Sequence, residues 1–182
     1  MLKTRLAPRR LARKVSAKDH SRGSPFAEIT LVSYGDFASP ACAQTYRTVK
    51  AIQKRLGTRL RYVFRSFPQP SQFPHSQEAA EAAECAAGQE KFWEMHDRIF
   101  EGGVPANDAQ LSRHASAAGL DVIRFRREMT ARLHAPRIHV VQEGGARSGV
   151  TRAPTFFINS VRHESSFGLS TLLAAVQAAS GG

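Results

Sequence analysis

The chain has 182 residues, which is enough for one domain with a substantial hydrophobic core. Hydrophobic residues make up 42% and charged residues 23%, and no apolar run reaches the roughly 18 residues that a membrane-spanning helix needs. This composition predicts a soluble globular protein, and the net charge of +11 must be located along the chain before it is interpreted.

The basic charge is concentrated at the start of the chain. Residues 1–22 contain eight of the 26 basic residues and one of the 15 acidic residues, so they carry +7 of the net charge. We predict a disordered tail there, because the segment is basic and has no continuous apolar core. Three functions of this tail stay open: contact with nucleic acid, contact with an anionic membrane surface, and a role as an organelle transit peptide. No specific nucleic-acid partner is indicated, and without an export signal we expect a cytoplasmic protein.

A strand, a helix and a second strand follow the tail. Alternating and then continuous apolar residues predict a strand over 28–33. Ser39 is a suitable N-cap and Pro40 is tolerated in a first turn, so a helix is predicted from there to about Leu56. The segment "RLRYVFRSF" alternates basic and apolar residues and predicts a strand over 59–67. These three elements indicate a βαβ unit with parallel strands.

The middle of the chain is predicted to be helical, and its end returns to strands. An Ala- and Glu-rich run predicts one long helix over 75–100. Shorter helices are predicted over 107–118, 121–134 and 137–146. A strand over 155–159, a tight turn at Asn159-Ser160, a short partner strand and a closing amphipathic helix complete the order. The resulting division is a tail over 1–22, a first α/β segment over 23–73, a helical insertion over 74–148 and a second α/β segment over 149–182.

The two cysteines, Cys42 and Cys85, are far apart in sequence. They are too few for a structural zinc site without histidine or carboxylate ligands. His75 shares a predicted helix with Cys85, but ten residues of helix separate them, too far for direct sharing of one metal ion. The sequence therefore predicts no metal site, and Cys85 is interpreted as a small buried hydrophobic residue.

The segment "SPAC", residues 39–42, has the spacing of a Cys-x-x-Cys redox pair with oxygen in place of the first sulfur. The order β-α-β, helices, β-β-α is that of the thioredoxin fold with a helical domain inserted in the middle. Together with "KFWEMHDRIF" and "SGVTRAPTFFIN", the motif resembles the DsbA-like branch of the thioredoxin superfamily over residues 19–179. The chain is similar also to the thioredoxin-like domains at the C-terminus of some bacterial sodium/proton antiporters.

The resemblance implies a thiol–disulfide oxidoreductase family in which the first cysteine is the nucleophile and the second resolves the mixed disulfide. Side chains three residues apart at a helix start face the same side, and the helix N-terminus favours a thiolate. Ser39 takes the nucleophile's position in this sequence. A hydroxyl cannot form a disulfide, so we predict that Ser39 and Cys42 cannot run the dithiol cycle.

Three interpretations of this site follow from the resemblance. In the first, a peptide or partner protein binds along the loop Ala153-Pro154-Thr155, with a cis bond before Pro154 and with Pro40 and Ala41 facing it. In the second, Cys42 acts alone as a one-cysteine reductant or a glutathionylation site. In the third, Ser39 donates a hydrogen bond to bound glutathione, an arrangement that resembles the site of the kappa-class glutathione transferases. Protein or peptide thiols and disulfides are thus the expected substrates, and no cofactor is expected unless the site uses glutathione.

Asp36 precedes the motif at the end of the first predicted strand. It is interpreted as a loop carboxylate rather than as a proton acceptor near Cys42, because nothing in the sequence fixes its direction.

Overall fold

A five-stranded sheet forms the centre of the fold, and helices pack on it. The computed structural model describes residues 9–103 and 107–179. Within them the strands are β1 (His20–Arg22), β2 (Ile29–Gly35), β3 (Leu60–Ser66), β4 (Thr155–Ile158) and β5 (Val161–Arg162). The helices are α1 (Pro40–Leu56), α2 (Ser76–Ala87), α3 (Phe92–Gly102), α4 (Asp108–Ala117), α5 (Val122–Thr130), α6 (Ala135–Arg147) and α7 (Leu169–Ala178). None of these helices has both the length and the hydropathy needed to cross a bilayer.

The sheet has the strand order β1-β3-β2-β4-β5. β2 and β3 pair in parallel through the crossover helix α1, which confirms the predicted βαβ unit. β4 runs antiparallel to β2, and β5 antiparallel to β4. The two-residue turn between β4 and β5 is Asn159-Ser160, as predicted, and both residues have positive φ, the geometry of a type I′ hairpin turn.

The two faces of the sheet are covered by different elements. On one face Leu31 of β2 belongs to the large core, which includes Ile52 of α1 and Leu172 of α7. The next residue, Val32, points to the other face and packs in a second cluster with Phe157 of β4. This alternation is the period of two that a strand buried on both faces requires.

Helix α2 is the centre of the helical insertion and packs against α3, α4, α5 and α6. Its buried alanines allow the neighbouring backbones to approach closely. The single helix predicted over 75–100 is wrong, because a turn after Ala87 separates α2 from α3. In that turn Glu90 has a φ of 60°, and the Lys91 N–H donates to the carbonyl of Ala86. The reversal lets both helices bury an apolar face in the same core.

The helix predicted over 121–134 is shorter in the structure. It ends at Thr130, and a turn containing Arg132, with a φ of 50°, leads into α6. Pro136 lies in the first turn of α6 instead of marking a stop. That position suits proline because a first-turn N–H has no partner within the helix.

The N-terminal segment over 9–22 is ordered, so the prediction of a disordered tail is wrong there; residues 1–8 of that tail lie outside the described residues. β1 extends the sheet by pairing antiparallel with β3. The N–H of Leu11 donates to the carbonyl of Ser160 at 3.0 Å, and its side chain is only 8% exposed. The composition did not reveal this packing because the segment joins the sheet through backbone pairing, which composition does not record.

A buried ion pair attaches this segment to β3. The Arg65 Nε donates to Asp19 Oδ1 at 2.8 Å, and the side chains are 2% and 5% exposed. The same guanidinium donates to the backbone carbonyls of Arg13 and Lys14 and to the hydroxyl of Tyr34. The Arg65 guanidinium therefore holds four separate groups against one face of the sheet.

Candidate functional site

Ser39 caps the helix that carries the motif. Its backbone is extended, and its Oγ accepts a hydrogen bond from the N–H of Cys42 at 3.4 Å. Pro40 occupies the first turn of α1 and is exposed, as is Ala41. A side-chain oxygen at this position satisfies one of the N–H groups that a helix start leaves without a partner.

The thiol of Cys42 is free, lies beneath this helix start and is only 3% exposed. Its Sγ accepts a hydrogen bond from the N–H of Asp36 at 3.3 Å. Burial raises the pKa of Cys42 to about 11, and hydrogen bonds from Asp36 and Ser39 offset only part of this effect. Cys42 is therefore a protonated thiol at neutral pH, with little nucleophilic character.

Asp36 is a buried carboxylate directly beside the thiol. Its Oδ2 accepts from the Ser76 hydroxyl at 2.6 Å and from the Gln69 N–H at 2.8 Å, and its Oδ1 accepts from the Ala38 N–H at 2.9 Å. Burial raises the pKa of Asp36 despite these bonds. The carboxylate joins the end of β2 to the start of α2, and its charge adds to the elevation of the pKa of Cys42.

The proline loop faces the motif from the start of β4. The bond between Ala153 and Pro154 is cis, the isomer that the resemblance implies. Pro154 and Cys42 together line a narrow internal space of about 10 Å³. Thr155 is buried, pairs with Tyr34 in the sheet, and uses its hydroxyl to donate to the carbonyl of Arg152.

An open groove of about 450 Å³ lies beside the loop. Of the predicted binding residues, Ala41, Ala153 and Pro154 line it, whereas Pro40 and Thr155 do not. The other lining residues come from α1, the proline loop and the segment before α7: Gln44, Thr45, Thr48, Arg152, Ser166, Phe167 and Gly168. No local sequence pattern indicates Phe167, because it reaches the loop only through the antiparallel pairing of β4 and β5 that precedes it.

One backbone donor of the loop is already engaged within the protein. The N–H of Ala153 donates to Oε1 of Gln69 at 2.9 Å. Gln69 is held in turn by its own N–H, which donates to Asp36 and to the hydroxyl of Ser76. A ligand that pairs with the Ala153 N–H must therefore displace the Gln69 side chain.

These features define a thioredoxin-fold protein with a helical insertion: a parallel βαβ unit, a motif at the start of its helix and a proline loop opposite. The thioredoxin family model matches residues 15–178, so the chain belongs to that family. Its structural neighbours are DsbA-like thioredoxin-fold proteins.

Relatives and solved structures agree with this assignment. A Na(+)/H(+) antiporter NhaA 1 of Salinispora arenicola is 40% identical over 165 residues, covering 91% of the chain and 25% of the antiporter. The chain thus spans about a quarter of the length of this curated relative. A thioredoxin-like oxidoreductase from Silicibacter pomeroyi superposes with a TM-score of 0.79 at 24% identity, covering 90% of this chain and 93% of that one. Wolbachia pipientis alpha-DsbA1 gives 0.77 at 20% identity, covering 92% and 93%.

Proposed function

We propose that this protein binds an extended peptide segment of a partner protein in the groove beside Pro154 and does not carry out dithiol–disulfide turnover. The observation that carries the proposal is the contrast between two neighbouring features. The groove is open, while Cys42 beside it is buried and protonated. A binding site needs an open groove, whereas a site for thiol chemistry needs an accessible thiolate.

The groove suits an apolar side chain of an extended peptide. Ala41, Pro154 and Phe167 supply apolar surface, and Arg152 places an exposed cation at the rim. The N–H of Ala153 offers a backbone donor once Gln69 moves aside, and main-chain pairing of this kind gives affinity without sequence specificity. Protein segments are therefore the ligand class we propose.

Similarity to antiporters suggests which partner to test first. A domain like this one makes up a quarter of the Salinispora arenicola antiporter sequence. We therefore propose a segment of such an antiporter as a first candidate ligand, and the cytoplasmic location expected from the sequence stays a prediction.

The alternatives that use glutathione are less well supported. A one-cysteine mechanism needs the Cys42 sulfur to reach a disulfide or glutathione in solution, which its burial opposes. Ser39 is also buried, and its oxygen already accepts the Cys42 N–H as a helix cap.

An insulin-reduction assay on the full chain tests the loss of redox turnover. We expect no activity from the natural protein or from Ser39→Ala, and measurable activity from Ser39→Cys. The substituted sulfur would stand near Cys42, because Ser39 Oγ already lies 3.4 Å from the Cys42 backbone nitrogen and the two side chains are three residues apart at one helix start. Turnover by the natural protein at a rate matching Ser39→Cys would contradict the proposal.

Fluorescence anisotropy with labelled, reduced and alkylated insulin B chain tests binding. Phe167→Ala removes the aromatic wall of the groove, and we expect an approximately tenfold weaker complex, equivalent to about 1.4 kcal/mol. Phe26→Ala is the matched control, because Phe26 is 93% exposed and does not line the groove. Equal affinity for both variants would rule out the groove as the binding site.

A further inference from the structure

Three side chains with different metal-binding atoms converge inside the helical insertion. Cys85 is on α2, Glu128 is on α5, and His134 is in the turn that leads into α6. One donor atom from each lies within 4.8 Å of the others. Cys85 and Glu128 are buried, and His134 is partly exposed, so the cluster is at the edge of the core with one side near solvent.

The spacing of these atoms is close to that of ligands on one tetrahedral ion. Zinc bonds of about 2.0–2.3 Å place neighbouring donor atoms about 3.3–3.8 Å apart. The His134 Nε2 lies 2.9 Å from Glu128 Oε2, and the largest separation in the cluster is within 4.8 Å. A sulfur and a nitrogen or oxygen bound to one zinc lie about 3.5 Å apart, so a change of up to about 1.3 Å in each separation completes three corners of a tetrahedron.

A second layer of contacts holds the carboxylate in place. The Nε of Arg124 donates to Glu128 Oε1 at 2.7 Å, which leaves Oε2 directed at His134. The Arg124 side chain is itself fixed by donating to the carbonyl of Gly88 at 2.9 Å. Outer contacts that orient a ligand in this way are a regular feature of protein metal sites.

Further carboxylates are on the helix that carries the thiol. Glu81 and Glu84 are buried on α2, the helix of Cys85. Arg132 and Arg137 pair with Glu81 and Glu84. These two carboxylates are therefore engaged by arginines, and Cys85 and Glu128 are the anionic groups that the cluster itself offers to a divalent ion.

We propose that Cys85, Glu128 and His134 bind one zinc ion. Mixed sulfur, nitrogen and oxygen donors suit zinc, and water at the partly exposed side of the cluster supplies the fourth ligand. The Cys85 sulfur loses its proton to solvent when the bond to zinc forms. The ion would join α2 to α5 and to the start of α6, and it would stabilise the insertion independently of the peptide groove.

The test uses the full chain, stripped with EDTA, desalted, mixed with one equivalent of zinc chloride and passed through gel filtration. Mass spectrometry of the metal content is expected to give one zinc per chain. Cobalt loading is expected to give a near-ultraviolet band from a thiolate bond together with the visible bands of a four-coordinate ion. His134→Asn and Glu128→Gln are each expected to weaken zinc binding by more than about tenfold, and Cys85→Ala to abolish the thiolate band.

His139→Asn is the matched control. His139 pairs with Glu143 on α6 in a similar histidine–carboxylate contact, but both side chains are exposed and no cysteine is part of that pair. Circular dichroism of the metal-free variants checks that they fold. If Cys85→Ala does not fold, zinc binding by His134→Asn tests the proposal. A chain that retains no zinc, or equal zinc retention by His134→Asn and His139→Asn, would leave the three residues as a hydrogen-bonded cluster and overturn the proposal.

Discussion

Replacing Asp19 by asparagine is expected to destabilise the protein strongly although Asp19 lies outside the candidate site. The substitution removes the negative charge opposite Arg65, whose guanidinium is 2% exposed, and leaves that cation buried without an ionic partner. Breaking one side of a buried ion pair costs about 3–5 kcal/mol. Asparagine keeps one oxygen acceptor, and Tyr34 and two carbonyls still accept from Arg65, so we expect the lower end, about 3 kcal/mol.

Urea unfolding of the full chain measures this loss, and thermal unfolding should show a midpoint lower by about 6–12 °C. Glu28→Gln is the matched control, because Glu28 also pairs with an arginine, Arg59, but both side chains are about half exposed. An exposed pair contributes about 0–1 kcal/mol. If Asp19→Asn costs no more than Glu28→Gln, the buried pair does not anchor the N-terminal segment and the reasoning is wrong.

The effect of pH on the same variant has a definite sign. The contact with Arg65 lowers the pKa of Asp19 in the folded state, although burial alone would raise it. Its contribution to stability is therefore complete above the unfolded value of about 3.9 and is lost as the pH falls through the folded value. We expect the unfolding free energies of the natural protein and Asp19→Asn to differ most at pH 7 and to converge below about pH 4. A constant difference between pH 7 and pH 3 would contradict the assigned pKa direction.

Two further substitutions test local contacts. Gln69→Ala frees the N–H of Ala153 for a ligand, so we expect peptide affinity in the anisotropy assay to rise about twofold to tenfold, the effect of one hydrogen bond. Unchanged affinity relative to Gln72→Ala, an exposed neighbour, would show that peptides do not pair with this donor. Asp121→Ala removes the cap that accepts the first N–H groups of α5, and urea unfolding should show a loss of about 1 kcal/mol. A loss below the error of the measurement would show that this cap contributes little.

The parts of the fold that the sequence predicted well are those that local patterns encode. The βαβ unit follows from two apolar strands around a helix with Ser39 as its cap, and each of these signals spans a few neighbouring residues. The hairpin turn at Asn159-Ser160 is likewise a local signal. The predicted long helix over 75–100 failed because helix propensity does not register a reversal that is favourable only when both halves pack in one core.

The candidate site was predicted in part for the same reason. Ser39 and Cys42 are three residues apart on one helix start, so their proximity follows from helix geometry. The hydrogen bond between Asp36 and Ser76 joins residues 40 positions apart, and no local sequence pattern predicts it. The ordered N-terminal segment was missed because its composition resembles that of a solvated tail.

The α/β class, the βαβ unit and the oxygen at the first position of the motif follow from the amino-acid sequence alone, because backbone propensity and residue identity are local properties. Three other features depend on tertiary packing: the burial of Cys42, the open groove beside Pro154, and the meeting of Cys85 with Glu128 and His134. Burial and convergence depend on which distant surfaces pack together. Packing also sets the pKa of each thiol, and therefore its reactivity, since desolvation is a property of the assembled core.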